Sequence, residues 1–249
     1  MLALSVLLVS VSALLPTISG LSSPYPGLVY LPRHFELSDL AQIAAFVDAA
    51  GAADLVTFDG SRPVASLLPV IWDRPAEPEG DDLGRVLGHV ALANEQWRTA
   101  QPGAQALAIV HGPQAYISPS WYESTARHGR TVPTWNYEAV HLTGTLMIHR
   151  DPEWLRDLVT RLTRRYEDPR PRPWAVTDAP AQYIDGQLRA IVGVEVVLRS
   201  VEAKQKLSQN RSSADQAGTV AGLREEPGPG PAAIAGLMAA NLTRNGSEA

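Results

Sequence analysis

Short stretches in which apolar and polar residues alternate recur along the chain, and this two-residue period is typical of half-buried β-strands. Turn-forming residues separate the stretches, as in Asp59-Gly60-Ser61, where a hairpin-type turn is expected. The polar, proline-rich and glycine-rich stretch Asp73–Asp82 predicts a surface loop. The predicted strands are Asp54–Asp59, Pro63–Trp72, Arg85–Val90, Ala104–Val110, Val132–Tyr137, Ala139–Ile148 and Ile191–Val201.

Helical periodicity is confined to a few places. Ser38 is expected to cap a helix that runs to Ala50 and stops at Gly51. The clearest helix opens at Asp151 and carries an apolar stripe from Trp154 to Tyr166. Shorter helical segments are expected at Asn94–Trp97, at Ala214–Leu223 and, after a breaker at Gly228–Pro231, weakly at Ala232–Ala240. Many strands and few helices predict a mainly β (α+β) protein: an antiparallel barrel with peripheral helices.

Composition and charge narrow the possible functions. The chain has 249 residues, 45% of them hydrophobic, and a formal net charge of −5. This balance disfavours a general nucleic-acid coat, which needs a basic surface. The absence of cysteine excludes disulfides, thiolate catalysis and cysteine-ligated zinc. Because neither metal-ligand spacing nor a nucleophile–base pair is evident, the sequence predicts no metal site and no catalytic residues.

Four segments combine aromatic and hydrogen-bonding residues with proline or glycine: Gly88–Trp97, His111–Tyr122, Val132–His141 and Lys204–Arg211. Such groups in loops that flank strands are typical of binding sites on a rigid scaffold. A flavin mononucleotide (FMN) needs flat apolar walls, hydrogen-bond partners for its ring and cationic groups for its phosphate. The four segments together offer this mixture.

These segments resemble the signature blocks of the PaiB-type FMN-binding family, which is labelled as a family of negative transcriptional regulators. The strings Ala115–Tyr122 (AYISPSWY) and Lys206–Arg211 (KLSQNR) carry much of the resemblance, which runs in the family's order from Tyr30 to Leu223. The resemblance implies an FMN-binding split β-barrel related to flavin reductases and pyridoxamine-phosphate oxidases. It also implies a homodimer with FMN at the subunit interface.

Each candidate cofactor-binding residue also has an ordinary structural interpretation. His89 either bonds the ligand or is satisfied at a strand end, and Asn94 is better explained as a cap for the following turn. Thr134, Trp135 and Asn136 are the strongest candidates for direct contact, because Pro133 fixes their loop. The full set comprises His89, Asn94, Ser118, Trp121, Thr134, Trp135, Asn136, Lys206, Gln209 and Arg211.

The remaining candidates are equally open to two interpretations. Ser118 offers a hydroxyl and Trp121 a stacking ring, but such an aromatic residue also serves as a core or dimer-interface anchor. Lys206, Gln209 and Arg211 either reach the FMN phosphate across the dimer or form a solvated turn. The arginines at 161, 164, 165, 170 and 172 form a possible nucleic-acid patch, although cations at a helix end explain them equally well and are preferred.

The sequence departs from the family pattern at two positions where histidine is expected. Leu67 occupies one of them and Gln114 the other, while His111 stands where another residue is usual. If either missing imidazole contacts the cofactor in relatives, flavin affinity or redox tuning differs in this chain.

The first 28 residues are expected to lie outside the folded domain. Met1–Gly20 is apolar but lacks a basic n-region, and Pro16 interrupts it. It is an export signal, a membrane anchor or sequence upstream of the true start. The third is favoured, because domains of this family usually begin at about the Tyr30–Glu36 motif and a GTG start codon at Val29 would account for this. The expected organisation is a leader over 1–28, the split-barrel domain over 29–223 and a flexible or weakly helical tail over 224–249.

Two functions from different classes remain in view. The leading one is a cytoplasmic, homodimeric FMN-binding regulator of the PaiB type, with DNA or a regulatory protein as a possible partner and no visible basis for direct DNA contact. The rival is a flavin reductase or oxidase on the same barrel, an FMN-dependent oxidoreductase. A weaker third option uses His89, His111 and His141 to bind haem.

Overall fold

The computed structural model describes residues 29–75, 82–101 and 103–247, with side chains as far as Arg244. The leader expected over residues 1–28 lies outside the described residues, as do positions 76–81 of the expected surface loop. From Leu31 onward the chain forms one compact unit.

Within the described residues, eight strands form a single antiparallel sheet in the order β3-β2-β6-β7-β8-β5-β4, with the short β1 paired to β8. The longest strands, β6, β7 and β8, lie next to each other and share long registers. The strands are β1 (Glu36–Leu37), β2 (Ala52–Phe58), β3 (Pro63–Pro69), β4 (Ile71–Asp73), β5 (Arg85–Ala91), β6 (Gln105–Ile117), β7 (Thr134–His149) and β8 (Ile191–Lys206).

The sheet curls until β3 and β5 meet without joining their hydrogen-bond ladders. Gly88 on β5 permits this approach, because a Cβ there would lie 2.4 Å from Leu68 Cδ1 on β3. Alternate side chains of the central strands fill the interior, among them the fully buried Val110, Leu142 and Val192. The predicted fold class, a mainly β split barrel with peripheral helices, is confirmed.

The helices lie outside the barrel: α1 (Leu40–Ala50), α2 (Gln96–Thr99), α3 (Glu123–His128), α4 (Pro152–Glu167), α5 (Ala181–Leu188), α6 (Ser213–Glu225) and α7 (Pro229–Ser247). The predicted cap of α4 is confirmed, since the Asp151 carboxylate accepts from two backbone N–H groups of the first turn. The cap of α1 is Asp39 rather than the predicted Ser38: Asp39 Oδ1 accepts from Ala41 N at 2.8 Å. Among the described helices, none has the length and apolar character that crossing a membrane requires.

Three strands are longer than predicted, for a common reason. Because each strand pairs with a long neighbour, β6 continues through His111–Ile117 and β8 continues to Lys206. For the same reason the two predicted strands Val132–Tyr137 and Ala139–Ile148 form one strand, β7. A register shift between His111 and Gln114 admits Gly112 and Pro113 without ending β6. Most of the second segment and the first three residues of the fourth, Lys204–Lys206, therefore lie on strands, where loops were expected.

The C-terminal helices pack against the far end of these strands. Helix α7 begins inside the predicted breaker, because proline is well tolerated in the first turn of a helix. Ile234 and Met238 of α7 are fully buried and form a second apolar cluster with Ile117, Leu207 and Leu223. This cluster fixes α6 and α7 beside the ends of β6 and β8.

Candidate functional site

The ten predicted site residues separate into two groups at opposite ends of β8. His89 pairs with Gly193 near the start of that strand, whereas Lys206 is its last residue. At about 3.3 Å per residue, these points are about 40 Å apart along the strand. His89 and Asn94 form the first group, here called the His89 end. The second group, the Lys206 cluster, comprises Ser118, Trp121, Thr134, Trp135, Asn136, Lys206, Gln209 and Arg211.

Lys206 lies at the centre of its cluster. Its Nζ donates to Thr134 Oγ1 at 2.8 Å and to the main-chain carbonyl of Trp135. The pKa of Lys206 lies below its usual value, first because the amine is partly buried and then because Lys204 and Arg211 add positive charge. Three cations that raise each other's potential in this way form a site suited to an anion such as a phosphate.

Asn136 stabilises the cluster from its buried side. Its side chain is fully buried, and Nδ2 donates to Ser208 Oγ at 3.0 Å and to Met238 Sδ at 3.3 Å. Ser208 has a φ of 63°. Among the described residues other than glycine, it is the one with a left-handed backbone conformation. Asn136 was expected to contact the cofactor directly; the structure instead buries it, so that it positions the Ser208 turn.

Gln209 also acts on the main chain of this turn. Its Oε1 accepts from Leu207 N at 2.7 Å, and its Nε2 donates to Gln205 O at 2.5 Å. Both ends of the amide thus close the turn that follows β8. The guanidinium of Arg211 lies 4.7 Å from the centre of the Tyr122 ring. Burial raises the pKa of Tyr122, and the positive charge of Arg211 opposes this rise.

Asp215 is a residue of this region that the sequence analysis missed. The buried carboxylate accepts from Ser124 N at 2.9 Å and from Ser124 Oγ at 2.8 Å. Burial is the largest single influence and raises the pKa of Asp215, but the Ser124 hydrogen bonds and the charge of Arg211 together outweigh it and leave the pKa lowered. The available signal was Ser212, which caps α6 three residues earlier. A capping serine indicates where the helix starts, but it does not indicate that the Asp215 carboxylate is buried near Arg211.

Ser118 and Trp121 have structural roles in the cluster. Ser118 caps a 3₁₀ turn, because its Oγ accepts from Ser120 N at 3.2 Å. Trp121 packs against α6 at a point where only glycine fits: a Cβ on Gly222 would lie 2.4 Å from the indole ring. These contacts agree with the interpretation of Trp121 as a packing anchor.

The rim of the cluster carries an exposed aromatic pair. Tyr116 and Trp135 face each other across β6 and β7, with ring centres 6.4 Å apart. They are 49% and 52% exposed, which is high for such large rings. Tyr116 was not among the predicted residues, although its place in AYISPSWY was visible. The two rings meet edge to face, with 76° between their planes, so each ring offers its own flat apolar face beside the three cations.

The His89 end is less polar. Burial lowers the pKa of His89 below its usual value, which favours the neutral imidazole. Asn94 Oδ1 accepts from Gln96 N at 2.9 Å, and Asn94 Nδ2 donates to Ser66 Oγ at 3.0 Å. Asn94 therefore stabilises the turn before α2. Leu67, one of the two positions where histidine was expected, is 72% exposed on nearby β3.

Part of the outer face of the sheet is exposed and apolar. Phe58 on β2, Leu67 on β3, Met147 on β7 and Val197 on β8 are each more than 40% exposed. Their positions alternate with core residues, so they point away from the barrel interior. A face of this kind is typical of a protein–protein contact.

Three of the five arginines of the predicted basic patch, Arg161, Arg165 and Arg170, are used within the protein. Arg161 donates to Asp73 Oδ1 at 2.8 Å, and Arg165 donates to Val70 O at 3.0 Å. Arg170 lies 3.2 Å from Glu167. These pairings favour the structural interpretation of the basic cluster over a nucleic-acid patch.

Comparison with known proteins adds the family. Residues 29–200 match the family model FMN_bind_2, described as "Putative FMN-binding domain". The protease synthase and sporulation protein PAI 2 of Bacillus subtilis is 32% identical over 217 residues, which cover 87% of this chain and 99% of the relative. An uncharacterised Aspergillus fumigatus protein is 31% identical over 189 residues, covering 62% of this chain and 72% of its own.

Two solved structures share the fold. The FAD and heme binding protein of Mycobacterium smegmatis superposes with a TM-score of 0.50 at 14% identity, over 73% of this chain and 78% of that one. The flavocytochrome Anf3 of Azotobacter vinelandii gives a TM-score of 0.50 at 16% identity, over 75% and 78%. At these identities the similarity establishes the split barrel alone.

Proposed function

The chain belongs to the PaiB-type family of FMN-binding domains, and from this membership we propose that it is a homodimeric FMN-binding regulator that acts in the cytoplasm. The observation that carries the proposal is the Lys206 cluster, where Lys206 and Arg211, with the neighbouring Lys204, adjoin an exposed aromatic pair. The regulatory role rests on the name of the Bacillus subtilis relative and on the family label.

The residues present fit FMN in two ways. Lys206 and Arg211 provide cations for the phosphate, and Arg211 is able to bind it through two parallel hydrogen bonds. Tyr116 and Trp135 are exposed and meet edge to face, so the face of either ring can stack on an aromatic ligand. When bound, FMN supplies a redox-active ring, and the surrounding hydrogen bonds tune its potential. Asn136 and Gln209 position the Ser208 turn that carries these cations.

A dimer would bring the two groups of predicted residues together. Within one protomer, about 40 Å of strand separates the His89 end from the Lys206 cluster, which is farther than one FMN reaches. A two-fold dimer that buries the exposed face at Phe58, Met147 and Val197 places each Lys206 cluster against the partner protomer. We therefore infer that each site combines the Lys206 cluster of one protomer with the His89 end of the other.

We propose that regulation acts through the ligand or through a protein partner. Helix α6 turns Gly218 and Gly222 towards Trp121, so this face of the helix is used in packing. Arg161, Arg165 and Arg170 are paired with acidic or carbonyl oxygens, so direct DNA contact has no support from these three arginines.

The first experiment is a spectrum of the purified protein and a titration with FMN, with FAD and haem as competing ligands. We expect saturable FMN binding with a flavin absorbance shift. Lys206→Met should weaken it about 10- to 100-fold through loss of a charged hydrogen bond. Arg224→Ala removes an exposed cation from α6 and serves as the control, with unchanged affinity. The proposal fails if neither flavin absorbance nor saturable FMN binding is found; robust NADH turnover would favour an oxidoreductase.

A second experiment tests the shared site. Two variants that do not bind FMN, one altered at His89 and Asn94 and the other at Lys206 and Arg211, are mixed under conditions that exchange subunits. If the site spans two protomers, half of the dimers are mixed and each has one intact site, so about a quarter of FMN binding returns. A site contained in one protomer regains nothing.

A further inference from the structure

A cavity of about 580 Å³ lies between α1, the bulge of β6 and α7, and none of the ten predicted flavin residues lines it. This volume is within the range of small-molecule sites in proteins. Its walls are mostly apolar side chains and glycine backbone, and they include Phe46, Ala49, Gly112, Glu138, Gly236 and Leu237.

The cavity contains one carboxyl group whose neighbours do not neutralise it. Glu138 is partly buried and accepts from Gln205 Nε2 at 2.6 Å, and among the described residues it forms no ion pair. Burial raises the pKa of Glu138, and only the neutral amide of Gln205 opposes this rise. A buried carboxylate without a cation is costly, so this position favours a ligand that brings one.

The carboxyl is held in a fixed orientation. Gln205 Oε1 accepts from Asn241 Nδ2 at 3.3 Å, so a series of hydrogen-bonded side chains links β7, β8 and α7. His111 also lines the cavity, but its Nε2 lies 3.1 Å from Asp54 Oδ2 and so has a carboxylate of its own. Glu138 is thus the acid available to a molecule in the cavity.

We propose that this cavity binds a small, largely apolar molecule that carries one protonated amine, with Glu138 as its counter-ion. The apolar part contacts Phe46 and Leu237 between α1 and α7, and the amine donates to the Glu138 carboxylate. The site is separate from the proposed flavin site and requires no flavin.

Calorimetric titration of the full chain with three probes of nearly equal shape tests the charge requirement: 2-phenylethylamine, 2-phenylethanol and phenylacetate. We expect one amine per protomer, binding about 10- to 100-fold more tightly than the alcohol, and no binding of phenylacetate. Glu138→Gln should reduce amine affinity to that of the alcohol. Glu225→Gln, at an exposed site on α6, removes the same charge and should change nothing.

Two filling variants test the location. A Cβ on Gly236 meets no atom within 4 Å, so Gly236→Leu should fill the cavity from α7 while leaving the helix intact. Ala49→Leu narrows it from exposed α1 and covers the case in which the first variant misfolds. Each should abolish amine binding in a protein with a normal circular dichroism spectrum. Absence of amine binding, equal binding of amine and alcohol, or binding that survives both folded variants would overturn the proposal.

Discussion

The buried pair of Asn136 and Ser208 gives a stability prediction that can be worked out from the structure. Asn136→Ala removes the amide that donates to Ser208 Oγ at 3.0 Å and to Met238 Sδ at 3.3 Å. It also leaves the Ser208 hydroxyl, in a residue only 3% exposed, without this partner. A lost hydrogen bond costs about 1 kcal/mol and an unsatisfied buried group about 1–3 kcal/mol. We therefore expect the free energy of unfolding to fall by about 2–4 kcal/mol.

The assay is urea unfolding followed by circular dichroism at a fixed protomer concentration, since dimer stability depends on concentration. Asn210→Ala, an exposed amide in the same turn, is the matched control and should stay within about 0.5 kcal/mol of the wild type. Ser208→Gly should be less harmful than Ser208→Ala by about 1 kcal/mol, because the φ of 63° suits glycine. The reasoning is refuted if Asn136→Ala costs no more than the control, or if the two serine variants are equal.

Three further predictions follow from burial and close packing. Burial lowers the pKa of His89, and burial together with the charges of His111 and Lys204 lowers that of His141 below 6.5. The unfolded chain therefore binds more protons than the folded chain, so the free energy of unfolding should decrease as the pH falls through and below about 6.5. The double variant His89→Gln with His141→Gln should show a weaker pH dependence when urea unfolding is measured at each pH. Gly222→Ala should destabilise the fold by about 1–3 kcal/mol through its clash with Trp121, despite the helix propensity of alanine; a rise in thermal midpoint would contradict this. Trp135→Ala should leave the thermal midpoint nearly unchanged, because the ring is 52% exposed, but weaken FMN binding about tenfold in fluorescence titrations; unchanged FMN affinity would remove the ring from the site.

The local sequence pattern was sufficient to predict an element where a few neighbouring residues determine its structure. The cap at Asp151 and the stripe that follows it define α4, because a helix depends on contacts within four residues. The same holds for the hairpin of β2 and β3, whose turn residues lie next to each other. The exact cap of α1 was missed by one residue, since serine and aspartate are both good caps and only the geometry selects Asp39.

Strand length was harder to predict from sequence. Gly112 and Pro113 look like a loop, yet β6 continues past them because β7 pairs with it on both sides of a bulge. The extension of β8 to Lys206 has the same origin, since β7 supplies partners as far as Tyr137. Partners distant in sequence leave no local signal.

By itself, the sequence determined the β pattern, the main helix, the family and the residues from which a flavin site is proposed, because these are encoded in short stretches of neighbouring residues. Tertiary structure decided how those residues meet. It separated His89 from Lys206 along one strand, buried Asn136 beneath the Ser208 turn, and placed Glu138 in the wall of an open cavity between α1 and α7. The physical reason is that a side chain's burial, charge state and partners depend on strand register and helix packing, which join residues far apart in the chain.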